Sequence, residues 1–267
     1  MATASLLEAV GGAEAMRQFA VQLGFRTTGW RDELGLALGT GEVTPLEMAR
    51  FAATVLSEGL MASGRPVLFS TDAAGGVRVP LPMKRARVLD AETAALTRDM
   101  MRLVIDYGTG GAARGAAGAR GLRRPAIGKT GTTDSEKDVW FVGGTPDYAG
   151  AIWIGYDQPK RVGGSASDLA APLWGWWMRS LHEGLPERPF YGEVETKGRS
   201  VCRESGHRPG DSCTSIWAPF VGDERPTKDC EIEHPPPDPS NETYESLWKR
   251  RDREKREALQ KDGGEKP

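Results

Sequence analysis

The chain has 267 residues, of which 27% are charged, and a formal net charge of -2, which suits one large domain or a domain with an appendage. So even a charge balance gives no support for a non-specific nucleic-acid surface. There is no run of about 18 apolar residues and no charged, apolar, small-residue leader at Met1, so the sequence displays neither a membrane segment nor a signal peptide.

Residues 3–24 read as one helix, with Met16, Phe19, Ala20 and Leu23 at the spacing of a buried stripe and Gly24 as its stop. The chain thus begins almost inside a helix. Thr44-Pro45-Leu46-Glu47 predicts a second helix start: Thr44 caps, Pro45 sits where a missing N–H costs nothing, and Glu47 completes a capping box. Leu46, Ala49, Ala53 and Leu56 share its face, and it should end near Gly59. Pro66–Phe69 and Gly75–Val79 suggest a small hairpin. Asp90 can cap a helix over 91–107, carrying Leu96, Met100 and Val104 on one face and stopping at Gly108. The segment 108–121, rich in Gly, Ala and Arg without apolar period, reads as a mobile loop.

From Ala126 to Tyr156 the pattern becomes extended. Val139–Val142 and Ala151–Ile154 are continuous apolar runs joined by Gly143-Gly144-Thr145-Pro146-Asp147, which predicts an antiparallel meander whose first strand holds Lys129. Both later strands read as buried on both faces, so helices should cover the sheet. Asp168 can cap a helix to about His182, whose tryptophans Trp174, Trp176 and Trp177 are expected to pack on the sheet. Residues 1–184 are therefore taken as an α+β domain, 185–241 as a loop-rich, cysteine-bearing extension, and 242–267 as a charged tail, disordered or a solvated helix.

The chemistry concentrates in Gly128-Lys129-Thr130-Gly131-Thr132-Thr133. Glycine admits a ligand close to the backbone, Lys129 supplies a compact cation, and hydroxyls and N–H groups can hold a carboxylate or an oxyanion. A nucleotide P-loop is excluded, because position 123 is Arg where that motif needs Gly and because extended structure follows. Asp134, Glu136, Lys137 and Asp138 read as a charged turn, and the three histidines, all at or beyond position 182, form no recognisable triad.

Taken with Gly41–Ala49, Gly108-Thr109-Gly110, Asp138–Gly143, Trp153–Asp157 and Ala170–Trp174, this stretch resembles the C-terminal half of the transpeptidase domain of bifunctional penicillin-binding proteins. The resemblance implies a partial serine-transpeptidase or β-lactamase-like fold and peptidoglycan cross-linking by acyl transfer. It implies that Lys129 serves the proton network of the nucleophile, that Thr130 and Thr132 bind the carboxylate of a stem peptide or a β-lactam, and that Thr133 lines the substrate. Gly131 would leave room for that substrate, and the Thr132 N–H would supply half of an oxyanion hole, worth about 3–4 kcal/mol when a carbonyl is delivered to it. No cofactor and no metal enter these roles. The family works in the cell envelope, anchored to the membrane.

Two departures matter. Neither Ser-x-x-Lys nor Ser-x-Asn precedes Lys129; the single Ser-x-x-Lys is Ser246–Lys249, in the tail, and is rejected as a chance match. The chain reads as starting just beyond the second motif, so it is expected not to be catalytic alone, and loss of upstream helices should bare one face of the sheet. A non-enzymatic module that binds stem peptides, or that complements a missing N-terminal half, is the alternative; the long extension argues against a β-lactamase-type hydrolase. Cys202, Cys213, Cys230 and His234 resemble the extension of the same family. Their lack of a Cys-x-x-Cys pair favours a disulfide over zinc, with three pairings open and one thiol left over.

Overall fold

The computed structural model describes residues 2–31, 33–67, 69–78, 83–115 and 121–234; the charged tail predicted at 242–267 lies outside them. They fall into two compact units that divide between Glu193 and Val194.

In the first unit the predicted N-terminal helix is broken into α1 (Ala2–Ala9) and α2 (Gly12–Gln22). The cause is local. Gly11 and Gly12 have φ of 105° and 80°, left-handed values that end one helix and redirect the chain into the next. The third helix, α3 (Pro45–Leu56), starts on the predicted capping box: the Thr44 hydroxyl accepts the Glu47 N–H at 3.2 Å, and the Glu47 carboxylate accepts the Thr44 N–H at 2.8 Å. Burial opposes ionisation of Glu47, but bonds from Thr44 and from the Arg26 N–H outweigh it and lower its pKa to about 2.

Four short strands follow: β1 (Leu60–Ala62), β2 (Ser70–Thr71), β3 (Val77–Arg78) and β4 (Arg85–Arg87), with β1 paired to β4 and β2 to β3, all antiparallel. The predicted hairpin therefore exists but is displaced toward its turn, because the Asp72 carboxylate accepts the N–H groups of Ala74 and Gly76 and fixes the register there. Helix α4 (Ala91–Tyr107) is capped by Asp90, which accepts the Thr93 N–H at 2.7 Å. The described part of the glycine-rich stretch after it is not loose. Gly111–Arg114 form a 3₁₀ turn, Leu122 N–H donates to the Ala113 carbonyl at 3.0 Å, and Arg114 ties Asp106 at 2.8 Å to the Arg124 carbonyl.

The meander comprises β5 (Ile127–Thr132), β6 (Val139–Gly144) and β7 (Ala149–Ile154), in that spatial order and antiparallel throughout. Alternation along the strands splits its side chains between two cores. Val139 and Phe141 pack with Ile105 of α4 and with Trp174 and Met178 of α5 (Ala170–Leu181); the Phe141 and Trp174 ring centroids are 4.9 Å apart. Ile127 packs instead with Val55 of α3 and Met101 of α4. Each such buried side chain contributes about 1.5–3 kcal/mol by its removal from water.

Three expectations for this region need correction. Of the two, β6 alone is buried on both faces; among the described residues β7 pairs only with β6, and its Trp153 is 39% exposed. Asp168 does not cap α5, since its carboxylate accepts the N–H and hydroxyl of Ser165 and closes a turn before the helix. Of the tryptophans, Trp174 is fully buried, whereas Trp176 on the outer face of α5 is 60% exposed.

The second unit is not all loop. It contains two seven-residue strands, β8 (Thr196–Cys202) and β9 (Ser215–Val221), paired antiparallel from Thr196↔Val221 to Cys202↔Ser215. Gly198 and Pro219 interrupt the apolar pattern and hide both strands from periodicity. The Trp217 ring lies over Gly198, covering the bare backbone that glycine leaves.

Candidate functional site

Strand β5 carries the site because it passes from core to surface. Ile127 and Gly128 are buried, Thr130 and Gly131 are half-buried, and Lys129 and Thr132 are exposed. Gly128 is held to glycine by packing: a Cβ there would lie 2.5 Å from the Phe141 ring. Among the described residues β5 pairs only with β6, so alternate N–H and C=O groups of its other edge are turned away from the sheet.

Side chains alternate across the strand, so Lys129 and Gly131 share one face and Thr130 and Thr132 the other. The Lys129 ammonium donates to the Thr130 carbonyl at 2.7 Å, which draws the charge along the strand. The Thr130 and Thr109 hydroxyls are 2.6 Å apart, and the Ser167 hydroxyl donates to the Thr109 carbonyl at 2.8 Å. Thr132 Oγ1 accepts the Ala166 N–H at 3.1 Å. Three segments distant in sequence are thereby joined: the loop after α4, strand β5, and the turn before α5. Hydrogen bonds from the Ser165 hydroxyl and N–H hold the Asp168 carboxyl in that turn below the usual carboxylate range.

Thr133 stands just beyond β5 and is built into its turn, its hydroxyl accepting the Asp138 N–H at 2.9 Å and its N–H donating to the Asp138 carbonyl at 3.0 Å. The charged segment read as a turn is one, with Asp134–Glu136 as a 3₁₀ turn. On the face shared with Lys129 and Gly131, Trp140 and Trp153 tilt together at 6.3 Å between centroids, and the Trp153 N–H donates to Asp138 at 3.0 Å.

The sequence reading missed Thr109, Ala166 and Ser167 as parts of this arrangement. Thr109 lies in a motif already quoted, and Ser165-x-x-Asp168 has the form of a hydroxyl-carboxylate turn, so a signal existed for both. His182 is buried, its Nε2 3.0 Å from the Thr145 hydroxyl and its Nδ1 2.7 Å from the Met178 carbonyl. Ser246 lies outside the described residues.

The cysteines also depart from expectation, because Cys202, Cys213 and Cys230 are all free thiols. Their sulfurs and a nitrogen of His234 converge within 4.8 Å of one another, an arrangement around a common centre instead of a pairwise bond.

Comparison with known proteins places these features. The chain is 35% identical over 218 residues to penicillin-binding protein 1A of Neisseria meningitidis serogroup B, covering 76% of this chain and 26% of that protein. It is 31% identical over 199 residues to penicillin-binding protein 2D of Bacillus subtilis, covering 73% of this chain and 28% of the relative. The chain thus spans about a quarter of the length of either curated relative. In fold it is similar to penicillin-binding protein 1A of Haemophilus influenzae, with a TM-score of 0.69 at 21% identity, over 85% of this chain and 39% of that one. PonA1 of Mycobacterium tuberculosis gives a TM-score of 0.56 at 23% identity over 68% of this chain and 53% of that one. The α+β architecture is shared with both. Residues 20–173, from within α2 into α5 and including the whole of β5, match the penicillin binding protein transpeptidase domain, and the chain belongs to that family.

Proposed function

We propose that β5 and its hydroxyl partners form the substrate-carboxylate wall of a peptidoglycan D,D-transpeptidase site, at the outer side of the cytoplasmic membrane. The observation that carries this reading is the Lys129-Thr130-Gly131-Thr132 edge, which runs out to the surface, joined to Thr109 by a solvent-accessible hydroxyl pair and backed by a packed core. An extended stem peptide ending in D-alanyl-D-alanine, or a β-lactam, lies along this edge as an added strand, with Gly131 leaving space beneath it. Lys129 attracts the carboxylate, the Thr130 and Thr132 hydroxyls bind it, and Thr133 borders the outer end. The Thr132 N–H donates to the oxyanion as the serine acyl-enzyme forms.

Acyl transfer also needs a serine nucleophile and its base, and no Ser-x-x-Lys or Ser-x-Asn precedes Lys129 in this sequence. The chain alone therefore binds but does not turn over. Incubation with a fluorescent penicillin tests this. No covalent label is expected on the chain by itself, and label is expected on the added serine segment when the missing motifs, taken from a penicillin-binding protein 1A, are co-expressed. Stoichiometric labelling of this chain alone would overturn the reading.

Binding without chemistry is the second reading, favoured because the hydroxyl array is assembled without the nucleophile. Chemical-shift changes confined to β5 and Thr109 on adding a D-alanyl-D-alanine stem peptide would support it, and their abolition in Lys129→Ala would assign the carboxylate contact.

A further inference from the structure

The second unit has very little core of its own. Val201 and Cys202 are its only fully buried apolar residues among those described. A two-stranded ribbon is marginal in water, and units of about 40 residues need a cross-link or a metal to hold one structure. We propose that Cys202, Cys213, Cys230 and His234 bind one zinc ion as a closed structural site that fastens the open end of the β8–β9 ribbon.

The geometry fits a single ion. A tetrahedral site with Zn–S near 2.3 Å and Zn–N near 2.0–2.1 Å sets its sulfurs and nitrogen roughly 3.5–3.8 Å apart, so the cluster needs shifts of only about 1 Å or less to close on an ion. His234 Nε2 lies 3.3 Å from the sulfurs of both Cys202 and Cys230, and all four ligand atoms fall within 4.8 Å of one another. A disulfide would bring one pair of sulfurs to about 2.05 Å and leave the third thiol and the imidazole without a role. Three thiolates and one imidazole form a soft, four-membered set that suits zinc, with no position left open for catalysis.

The backbone brings these ligands together where sequence spacing does not. Cys202 is the last residue of β8 and pairs with Ser215, so Cys213 comes to the same end of the ribbon. The 202–207 turn is closed by Gly206 N–H to the Cys202 carbonyl and Cys202 N–H to the His207 carbonyl, each at 2.8 Å. Cys230 is drawn in through its N–H, which donates to the Arg208 carbonyl at 2.9 Å, and His234 follows one helical-turn length later in sequence. Outer partners are present as well. The Glu204 carboxylate lies 3.7 Å from His234 Nδ1, the ring nitrogen other than the one near the sulfurs, close enough to accept its N–H after a small side-chain shift. The Gly210 N–H donates to the Cys213 sulfur at 3.2 Å and fixes its position. The missing Cys-x-x-Cys pair, which weighed against zinc in the sequence, is replaced by strand pairing. Binding replaces the three thiol protons by the cation, so affinity falls in acid.

The test uses the full chain, purified under reductant and dialysed into metal-free buffer. Elemental analysis is expected to find about one zinc per chain, released when a mercurial titrates the three thiols. Cobalt substitution is expected to give thiolate charge-transfer bands and the intense visible bands of a tetrahedral ion, a readout that needs no variant. Cys230→Ser and His234→Ala should each lower retained zinc by more than about tenfold, while His207→Ala should not. A chain that takes up neither zinc nor cobalt while its three thiols remain titratable would overturn the proposal. So would a protein that forms a disulfide in the presence of excess zinc, or loss of zinc in His207→Ala with retention in His234→Ala.

Discussion

Two antiparallel assemblies in this molecule, the β5–β7 meander and the β8–β9 ribbon, solve the same problem by different means. The meander is held from both sides, by Trp174, Met178 and Ile105 against Phe141 and by Val55 and Met101 against Ile127. The ribbon has hydrogen-bond pairing of equal regularity but almost nothing buried. Burial leaves the meander free to expose one polar edge, since its stability does not depend on that edge. The ribbon has no such reserve, and its fixed point is the cluster of sulfurs and imidazole at one end.

The sharpest break in the comparison is chelation. Removing metal from the reduced full chain should open the ribbon, seen as loss of amide protection and new proteolytic cleavage within 194–234, while amides of β5–β7 stay protected. Simultaneous loss of both would show that the two assemblies share one source of stability. Next in size is Trp174→Ala. That ring is fully buried, touches Phe141 and donates its N–H to the Gly150 carbonyl at 3.1 Å. A loss of about 3–5 kcal/mol is expected in denaturant unfolding of the first unit. Zinc content should not change.

The same contrast explains what could be read from the sequence. The meander was legible because burial leaves apolar runs, as in Val139–Val142, and because its turns carry Pro and Asp. Helices α3 and α4 were legible from Thr44, Pro45, Glu47 and Asp90, residues whose chemistry acts within one turn. The ribbon was not, since strands stabilised by ligands at one end need no apolar alternation, and Gly198 and Pro219 read as loop. The break at Gly11-Gly12 was lost inside a long apolar period. At the candidate site, Lys129, Thr130 and Thr132 were singled out by their own motif, whereas the bonds that Ala166 and Ser167 make to it were not foreseen. Their part depends on the turn before α5 folding back on β5, a contact across 34 residues in the case of Ala166 and Thr132.

Within the meander, Thr132→Val separates the edge from the core. The variant keeps the shape of the side chain but removes the acceptor of the Ala166 N–H, at a cost of about 1 kcal/mol in unfolding. Penicillin labelling of the complemented enzyme should fall far more than that stability change explains. Equal labelling would remove Thr132 from the carboxylate site and leave it as a tether for the turn before α5.

The smallest effect lies at the start of α3, where stability depends on neither a core nor a metal. Glu47 has its pKa lowered from an ordinary 4.5 to about 2 because, against the opposing effect of burial, its carboxylate accepts from Thr44 and Arg26. A carboxyl depressed in the folded state contributes stability that is fully present above 4.5 and is lost as pH falls toward about 2. Glu47→Gln keeps the shape and lacks the charge, so at neutral pH it should cost about 0.5–1 kcal/mol, within the range of a helix cap. That difference should shrink as denaturant unfolding is repeated at pH values below 4.5. If wild type and variant stay equally far apart throughout the acid range, the carboxylate's charge is not what fastens α3, and the geometry of the capping box alone does so.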